Sequence, residues 1–374
     1  MIFTNCNLIL ENAIVRGSLC TEGDRIRWIS GDPVPEDAGC EEVIDLGGRF
    51  LAPGFVDEHC HGSGEYWHFE NPSAAAAWHL QEGTTSLLCS MWRNAGDYSF
   101  RKAIENVKAA MGEDSNIRGI HMEGPYLDPD YGSEGGRDWP FDPEEYRELM
   151  EAGRGIIRQW TFDPAKEGAL AFAREAQKEG IRLAVCYSKA KPELLETFEP
   201  YGLTIGTHML CGSGHAQPMF RGTYEPGSDQ FVLVNDRMYA EVIADSLGGH
   251  VRPYYLKLIY KCKGADRICL VSDCCAGGDT CGSDVNVING ELYGSRLTLS
   301  VAIRNMQKHT GAPLIELIRM ASATPAKAMG LYGDRGSIAS GKIADLVVLD
   351  PDLSVKGVLL GGKWVRRDMQ VTEH

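Results

Sequence analysis

Residues 53–62 read Pro-Gly-Phe-Val-Asp-Glu-His-Cys-His-Gly, an apolar start followed by a polar end with two histidines. In an extended strand alternate side chains share one face, so His59 and His61 point the same way and Cys60 points away from them. Two imidazoles on one face form one corner of a metal site. The stretch therefore predicts a strand whose carboxyl end carries chemistry.

Apolar strand-like runs and helical stretches alternate along the chain around this motif. The eight runs are 50–56, 84–89, 117–122, 159–162, 181–186, 203–207, 239–244 and 267–271. The helical stretches are 72–81, 100–111, 143–153, 164–179, 192–198 and 253–261, with a late pair at 313–321 and 325–330. Eight strand–helix units predict an α/β chain with a (β/α)8 TIM-like barrel, in which the carboxyl ends of the strands hold the site.

The two ends of the chain contain short alternating strands separated by glycine-rich turns. Neither end has enough strands to bury a core alone. We therefore expect 1–52 and 336–374 to pair into one small β-sandwich beside a catalytic barrel at 53–335.

The composition excludes several classes of protein. The 374 residues are 43% hydrophobic and 24% charged, as in ordinary globular proteins. A formal charge of −15 disfavours nucleic acid and anionic membrane surfaces as partners. The opening residues lack the basic segment of a signal peptide, and no apolar run is long enough to span a membrane, so we expect a cytoplasmic protein that binds a small-molecule substrate.

Further polar side chains stand at the ends of other predicted strands. Glu123 follows the third strand, His208 the sixth and Asp273 the eighth. The carboxyl ends of barrel strands meet at one mouth, so these three side chains are expected beside His59 and His61. Mixed imidazole and carboxylate donors suit a divalent ion of the zinc or iron type.

Motifs spread over nearly the whole chain resemble the amidohydrolase superfamily and, within it, the N-acetylglucosamine-6-phosphate deacetylase family. They are PGFVDEHCHG, HMEGPYLD, GTHM, EVIAD, LVSD, ASATPAKAMGL and GSIASGKIADLVVLD. The resemblance implies that His59, His61, Glu123 and His208 are metal ligands or near-ligands and that Asp273 is the general base and acid. It also implies hydrolysis of the acetamide of an amino sugar by metal-activated water, and a homodimer.

One metal-site position departs from that family. The family usually has a histidine at the end of strand five, in a segment similar to AGHSNA, where this chain has Tyr187. A neutral phenol is a weak ligand because its pKa is about 10. We therefore expect one zinc ion, with iron as the alternative, on His59, His61 and Glu123, and Asp273 as a further candidate ligand.

The substrate-binding positions also depart from the family, which tends to read THLFNAM and then REPG. Here Cys211 and Gly212 lie in the first stretch and Tyr224 replaces the arginine of the second. The candidates for substrate contact are Arg137, Cys211, Gly212, Arg221 and His250. Because the phosphate clamp is incomplete, the amino sugar could be the 6-phosphate or another anionic or neutral variant.

Two alternatives stay open at this point. The same barrel and metal could serve an N-acyl amino acid or a cyclic amide, because fold does not fix chemistry. The missing strand-five ligand could also indicate a barrel that binds a ligand without turnover.

Overall fold

The computed structural model describes residues 1–31, 42–92, 99–131, 138–214, 217–279 and 283–369. Short strands open the chain, namely β1 (Ile2–Ile9), β2 (Ile14–Glu22), β3 (Arg25–Gly31), β4 (Val43–Asp45) and β5 (Phe50–Pro53). They form half of a sheet that the end of the chain completes.

The middle of the chain contains the barrel. The strands of this part of the chain are, in order, β6 (Phe55–Cys60), β7 (Thr84–Trp92), β8 (Ile117–Glu123), β9 (Ile157–Phe162), β10 (Arg182–Val185), β11 (Leu203–Gly206), β12 (Gln217–Phe220), β13 (Thr223–Glu225), β14 (Tyr239–Ile243), β15 (Ile268–Val271), β16 (Val285–Ile288) and β17 (Glu291–Ser295). Eight of them form a parallel sheet in the order β6-β7-β8-β9-β10-β11-β14-β15, whereas β12–β13 and β16–β17 are antiparallel hairpins. The amide of Asp273 donates to the carbonyl of His59 (2.9 Å), so the last strand returns to the first. The predicted barrel is confirmed.

Helices follow most barrel strands. They are α1 (Pro72–Gln81), α2 (Phe100–Ala110), α3 (Pro143–Ala152), α4 (Ala169–Lys178), α5 (Pro192–Glu196), α6 (Ser228–Val234), α7 (Pro253–Lys263), α8 (Leu299–Thr310), α9 (Leu314–Met320) and α10 (Ala323–Met329). Within the described ranges, each helix is too short or too polar for a membrane span. Sequence patterns failed to predict α6 and α8, and they placed the start of α4 at Pro164, before the left-handed Gly168 (φ 89°) that caps it.

Strands from both ends of the chain share one mixed sheet, as the sequence predicted. The final strands are β18 (Leu346–Leu349), β19 (Val355–Leu360) and β20 (Lys363–Arg367). The order is β20-β19-β18-β5-β1-β2-β3, and β4 pairs with β1. Buried Leu8, Leu19, Leu51 and Leu346 belong to its own apolar core.

The apolar run at 50–56 divides between the two sheets. β5 pairs antiparallel with β18, whereas β6 pairs parallel with β7. Between them, a Cβ on Gly54 would lie 2.0 Å from Oγ1 of Thr85, so only glycine fits there. The run predicted as one strand is therefore two, and the second of them delivers the histidines to the barrel mouth.

Candidate metal centre

Five polar side chains meet at the mouth of the barrel, as the sequence predicted. His59 is in β6, His61 follows it, Glu123 ends β8, and His208 and Asp273 come just after β11 and β15. Each is less than a tenth exposed. Nε2 of His61 lies 3.1 Å from Nε2 of His59, 3.1 Å from Oε2 of Glu123 and 3.3 Å from Oδ1 of Asp273. Residues far apart in sequence thus form one site.

His59, His61 and Glu123 form a group whose ligand atoms all lie close enough to share one ion. Nδ1 of His59 lies 2.9 Å from Oε2 of Glu241, a carboxylate that only accepts when ionised. With an ion bound, the hydrogen of His59 would be on Nδ1 and the lone pair of Nε2 would face the ion. The donor set of two imidazoles and a carboxylate fits a zinc-type cation.

Glu241 is a functional residue that the sequence analysis did not identify. This fully buried carboxylate in β14 also accepts from Nε2 of Gln159 (2.6 Å) and from the amide of His208 (3.3 Å). It therefore orients the histidines of two strand ends. In the sequence, the indication of such a role is that a glutamate stands within the otherwise apolar run 239–244.

The other oxygen of Glu123 faces a second set of side chains. Nε2 of His208 lies 3.1 Å from Oε1 of Glu123 and 3.0 Å from the hydroxyl of Tyr187. Sγ of Cys186 lies 3.6 Å from Nδ1 of the same ring. Tyr187 has a φ of 44°, a left-handed backbone, at the turn that brings its phenol to this position.

Electrostatics keep the two carboxyls of the centre ionised. Burial alone would raise the pKa of Glu123, but His59, His208 and His61 outweigh it and hold that pKa well below the usual range. Burial likewise opposes ionisation of Asp273, whereas a hydrogen bond with His61 and the charges of the histidines lower its pKa. A ligand and a general base both require the ionised form.

A small pocket, partly open to solvent, lies above the centre. Its walls are His61, Trp92, Glu123, Tyr187, His208, Asp273, Cys275, Tyr293 and Gly294. The rings of Trp92 and Tyr293 meet edge to face at 5.1 Å between centroids. The site is therefore acidic and imidazole-rich at its floor and aromatic on one wall.

The predicted substrate-binding residues lie in different places. Cys211 is half-buried. Burial and the negative charge of Asp273 raise the pKa of the Cys211 thiol to about 12. Gly212 follows it with a left-handed φ of 65°. Arg221 is exposed on the hairpin β12–β13, and Arg137 lies outside the described residues.

His250 is fixed beside the pocket. Nδ1 contacts Oδ2 of Asp245 at 3.1 Å, and Nε2 contacts the carbonyl of Gly294, a wall residue, at 2.9 Å. Its ring therefore supports the pocket wall through Gly294.

A second buried group of potential ligands lies behind the centre and comprises Asp57, Cys60 and His79. Sγ of Cys60 lies 3.1 Å from Nε2 of His79, which also contacts the carbonyl of Gly62 at 2.8 Å. Burial raises the pKa of Cys60 and lowers that of His79 to about 4. A neutral thiol and a neutral imidazole thus pack in the barrel wall.

Comparisons with known proteins find similar chains. Residues 260–365 match the amidohydrolase family. The chain is 28% identical over 344 residues to the N-acetylglucosamine-6-phosphate deacetylase of Lysinibacillus sphaericus (86% of this chain, 87% of that protein). It is 29% identical over 353 residues to that of Haemophilus influenzae (86% and 88%).

Two solved structures cover almost the whole chain. The N-acetylglucosamine-6-phosphate deacetylase of Pasteurella multocida has a TM-score of 0.85 at 26% identity and covers 98% of this chain and 99% of its own. A variant of the Mycobacterium smegmatis deacetylase, in complex with N-acetyl-D-glucosamine-6-phosphate, has a TM-score of 0.85 at 29% identity with the same coverage.

Proposed function

We propose that this chain, which is similar to amidohydrolases and to N-acetylglucosamine-6-phosphate deacetylases over most of its length, is a divergent member of that superfamily and a metal-dependent deacetylase that removes acetate from an N-acetylated amino sugar. The observation that carries the proposal is the convergence of His59, His61, Glu123 and Asp273, with neighbouring ligand atoms 3.1 to 3.6 Å apart, at the barrel mouth. The 6-phosphate form is the first candidate substrate, in keeping with the relatives.

We propose that His59, His61 and Glu123 hold one divalent ion, zinc first and iron second, with Asp273 as a further candidate ligand. A cation held by these residues would lower the pKa of a water molecule and polarise the acyl oxygen. Tyr187 and His208 occupy the other side of Glu123, which favours one ion over two. His208 as a direct ligand stays a prediction.

Asp273 carries the proton in this mechanism. Its ionised carboxylate, 3.3 Å from His61, takes a proton from the attacking water as the oxygen bonds to the acyl carbon. The carbonyl electron pair moves to the acyl oxygen and then returns as the C–N bond breaks. Asp273 gives its proton to the departing nitrogen, and the products are acetate and the free amino sugar.

The pocket also supports a proposal for substrate contacts. Among its described wall residues there is no lysine or arginine, so a phosphate would have to be met by other parts of the chain. We assign that role to Arg137 and Arg221, since arginine binds phosphate in a bidentate way. Cys211, Gly212 and His250 are proposed to contact or shape the sugar site.

We further propose a cytoplasmic homodimer. The hairpin β12–β13 exposes Met219, Phe220 and Tyr224 by 53%, 69% and 65%, which is unusual for a cluster of large apolar side chains. A second copy of the chain would cover this surface and bring Arg221 to an interface. Light scattering of the wild type and of Phe220→Ser would test it, since the variant should shift toward monomer.

A substrate panel tests the function directly. Acetate release would be measured with N-acetylglucosamine 6-phosphate, N-acetylgalactosamine 6-phosphate, the unphosphorylated sugars, N-acyl amino acids and hydantoins. We expect turnover of an acetylated amino sugar, its loss in Asp273→Asn, and its loss on chelation with recovery on added zinc. Preference for an amino acid or a cyclic amide would replace the proposed substrate, and inactivity on every compound with metal bound would indicate a binding protein.

A further inference from the structure

Tyr187 is placed where a catalytic group would be, although it is a poor metal ligand. It follows β10 with its backbone anchored on both sides: its carbonyl accepts from the amide of Asp128 (2.9 Å), and the amide of Ser188 donates to the carbonyl of Ser213 (3.3 Å). Its phenol lines the same pocket as Asp273. The side chain is therefore held over the centre by the fold.

The hydrogen-bond partners of His208 determine where the phenol hydrogen can go. Nε2 of His208 faces Oε1 of Glu123 at 3.1 Å, and an ionised carboxylate can only accept, so Nε2 carries a hydrogen. Sγ of Cys186 lies 3.6 Å from Nδ1 and 3.8 Å from Nε2 of the same ring, so the thiol does not compete with Glu123 for the hydrogen on Nε2. Nε2 therefore donates toward Glu123.

With a hydrogen on Nε2, the phenol of Tyr187 cannot donate to His208. Its oxygen lies 3.0 Å from Nε2, which has no lone pair to accept, and can share the hydrogen of that nitrogen. The hydrogen of the phenol is then free to point toward the pocket. A neutral donor is thus presented to any oxygen bound beside Asp273.

We propose that Tyr187 is a catalytic hydrogen-bond donor: its hydroxyl binds the acyl oxygen of the substrate as negative charge develops there, on the side of Glu123 opposite the candidate metal position. The inference rests on the proposed amide hydrolysis. No proton is transferred from Tyr187, because the hydroxyl stabilises the oxyanion by hydrogen bonding while Asp273 moves the proton. Donors aimed at a developing oxyanion act in this way in other acyl-transfer enzymes.

The substitution Tyr187→Phe removes only the hydroxyl, so it isolates the proposed donor. We expect kcat to fall about 100- to 1000-fold, KM to change less than about threefold, and the metal content to equal that of the wild type. A phosphonamide analogue of the tetrahedral intermediate should lose affinity in proportion, because the donor binds the transition state more strongly than the substrate. Tyr254→Phe, on a side chain that is 85% exposed, is the matched control.

A second variant tests the position of Tyr187 independently of turnover. Tyr187→His places an imidazole beside His208 and Glu123, and we expect the zinc content to rise from about one to about two ions per chain. Tyr187→Phe with kcat within threefold of the wild type would overturn the donor role, and an unchanged zinc content in Tyr187→His would overturn the placement beside Glu123. Failure of the proposed function can be told apart from failure of the Tyr187 proposal, because the wild type itself would then be inactive on every acetylated amino sugar.

Discussion

Replacing Glu241 with glutamine should weaken metal binding without unfolding the protein. The side chain of Glu241 accepts three hydrogen bonds: Oε2 accepts from Nδ1 of His59 (2.9 Å) and from the amide of His208 (3.3 Å), and Oε1 accepts from Nε2 of Gln159 (2.6 Å). Glutamine keeps one acceptor oxygen, so its NH2 group faces either His59 or Gln159, and of these two only the Gln159 amide can turn to accept from it. The negative charge that makes His59 a better ligand is also lost.

The expected loss of zinc affinity in Glu241→Gln follows from these contacts. Outer partners of metal-binding histidines typically contribute 10- to 100-fold in affinity, and here the substitution removes a negative charge 2.9 Å from Nδ1 of His59. We therefore expect the Kd for zinc to rise about 100-fold, which corresponds to a loss of about 2.7 kcal/mol in binding free energy.

The assay is competition for zinc against a chromophoric chelator, with thermal unfolding of the metal-free proteins measured in parallel. Glu196→Gln, on the exposed side of α5, is the matched control and should bind zinc like the wild type. Glutamine preserves the size of the glutamate side chain, so the substitution introduces no cavity that could itself change zinc binding. Wild-type zinc affinity in Glu241→Gln would refute the argument that Glu241 orients His59.

Two further predictions concern stability and pH. Burial opposes ionisation of Asp245, but hydrogen bonds from His250 and nearby amides lower its pKa to about 2, below the ~3.9 of an unfolded chain. Its contribution is present above pH ~4 and is lost as the pH falls toward 2, so Asp245→Asn should cost about 2 kcal/mol at pH 7 and less at pH 3, measured by urea unfolding. Burial lowers the pKa of Lys263 to about 8. Above that pH the unfolded chain binds more protons at this lysine than the folded chain does, so the free energy of unfolding should rise with pH up to about pH 10. Relative to Lys263→Met, the wild type should gain about 2 kcal/mol between pH 8 and pH 10, and equal slopes for the two proteins would contradict this.

The sequence could predict the barrel because its strands alternate with helices at regular spacing, and it could predict that the five polar side chains lie close together because they stand at strand ends. His59 and His61 share a face for the reason that any strand places alternate side chains together. The family resemblance and the fold were confirmed. The domain boundaries and the individual roles of the site residues stay predictions.

The features that were missed depend on tertiary contacts. The helix α8 is separated from β15 by the hairpin β16–β17, so it does not follow its strand directly, although Leu299, Ile303 and Met306 have helical spacing. The break at Gly54 depends on Thr85, a partner from the next strand. A glutamate within the apolar run 239–244 marks Glu241 as unusual, but its partner His59 is known only from the tertiary structure.

The most direct test of the central claim is acetate release by wild-type protein and Glu123→Gln, with zinc content measured on the same samples. Glu123 contacts His61 at 3.1 Å and His208 at 3.1 Å through its two oxygens, and glutamine keeps its shape without its charge. We predict about one ion per chain and steady acetate release for the wild type, with loss of both in the variant. Full acetate release from an N-acetylated amino sugar by Glu123→Gln would contradict the account.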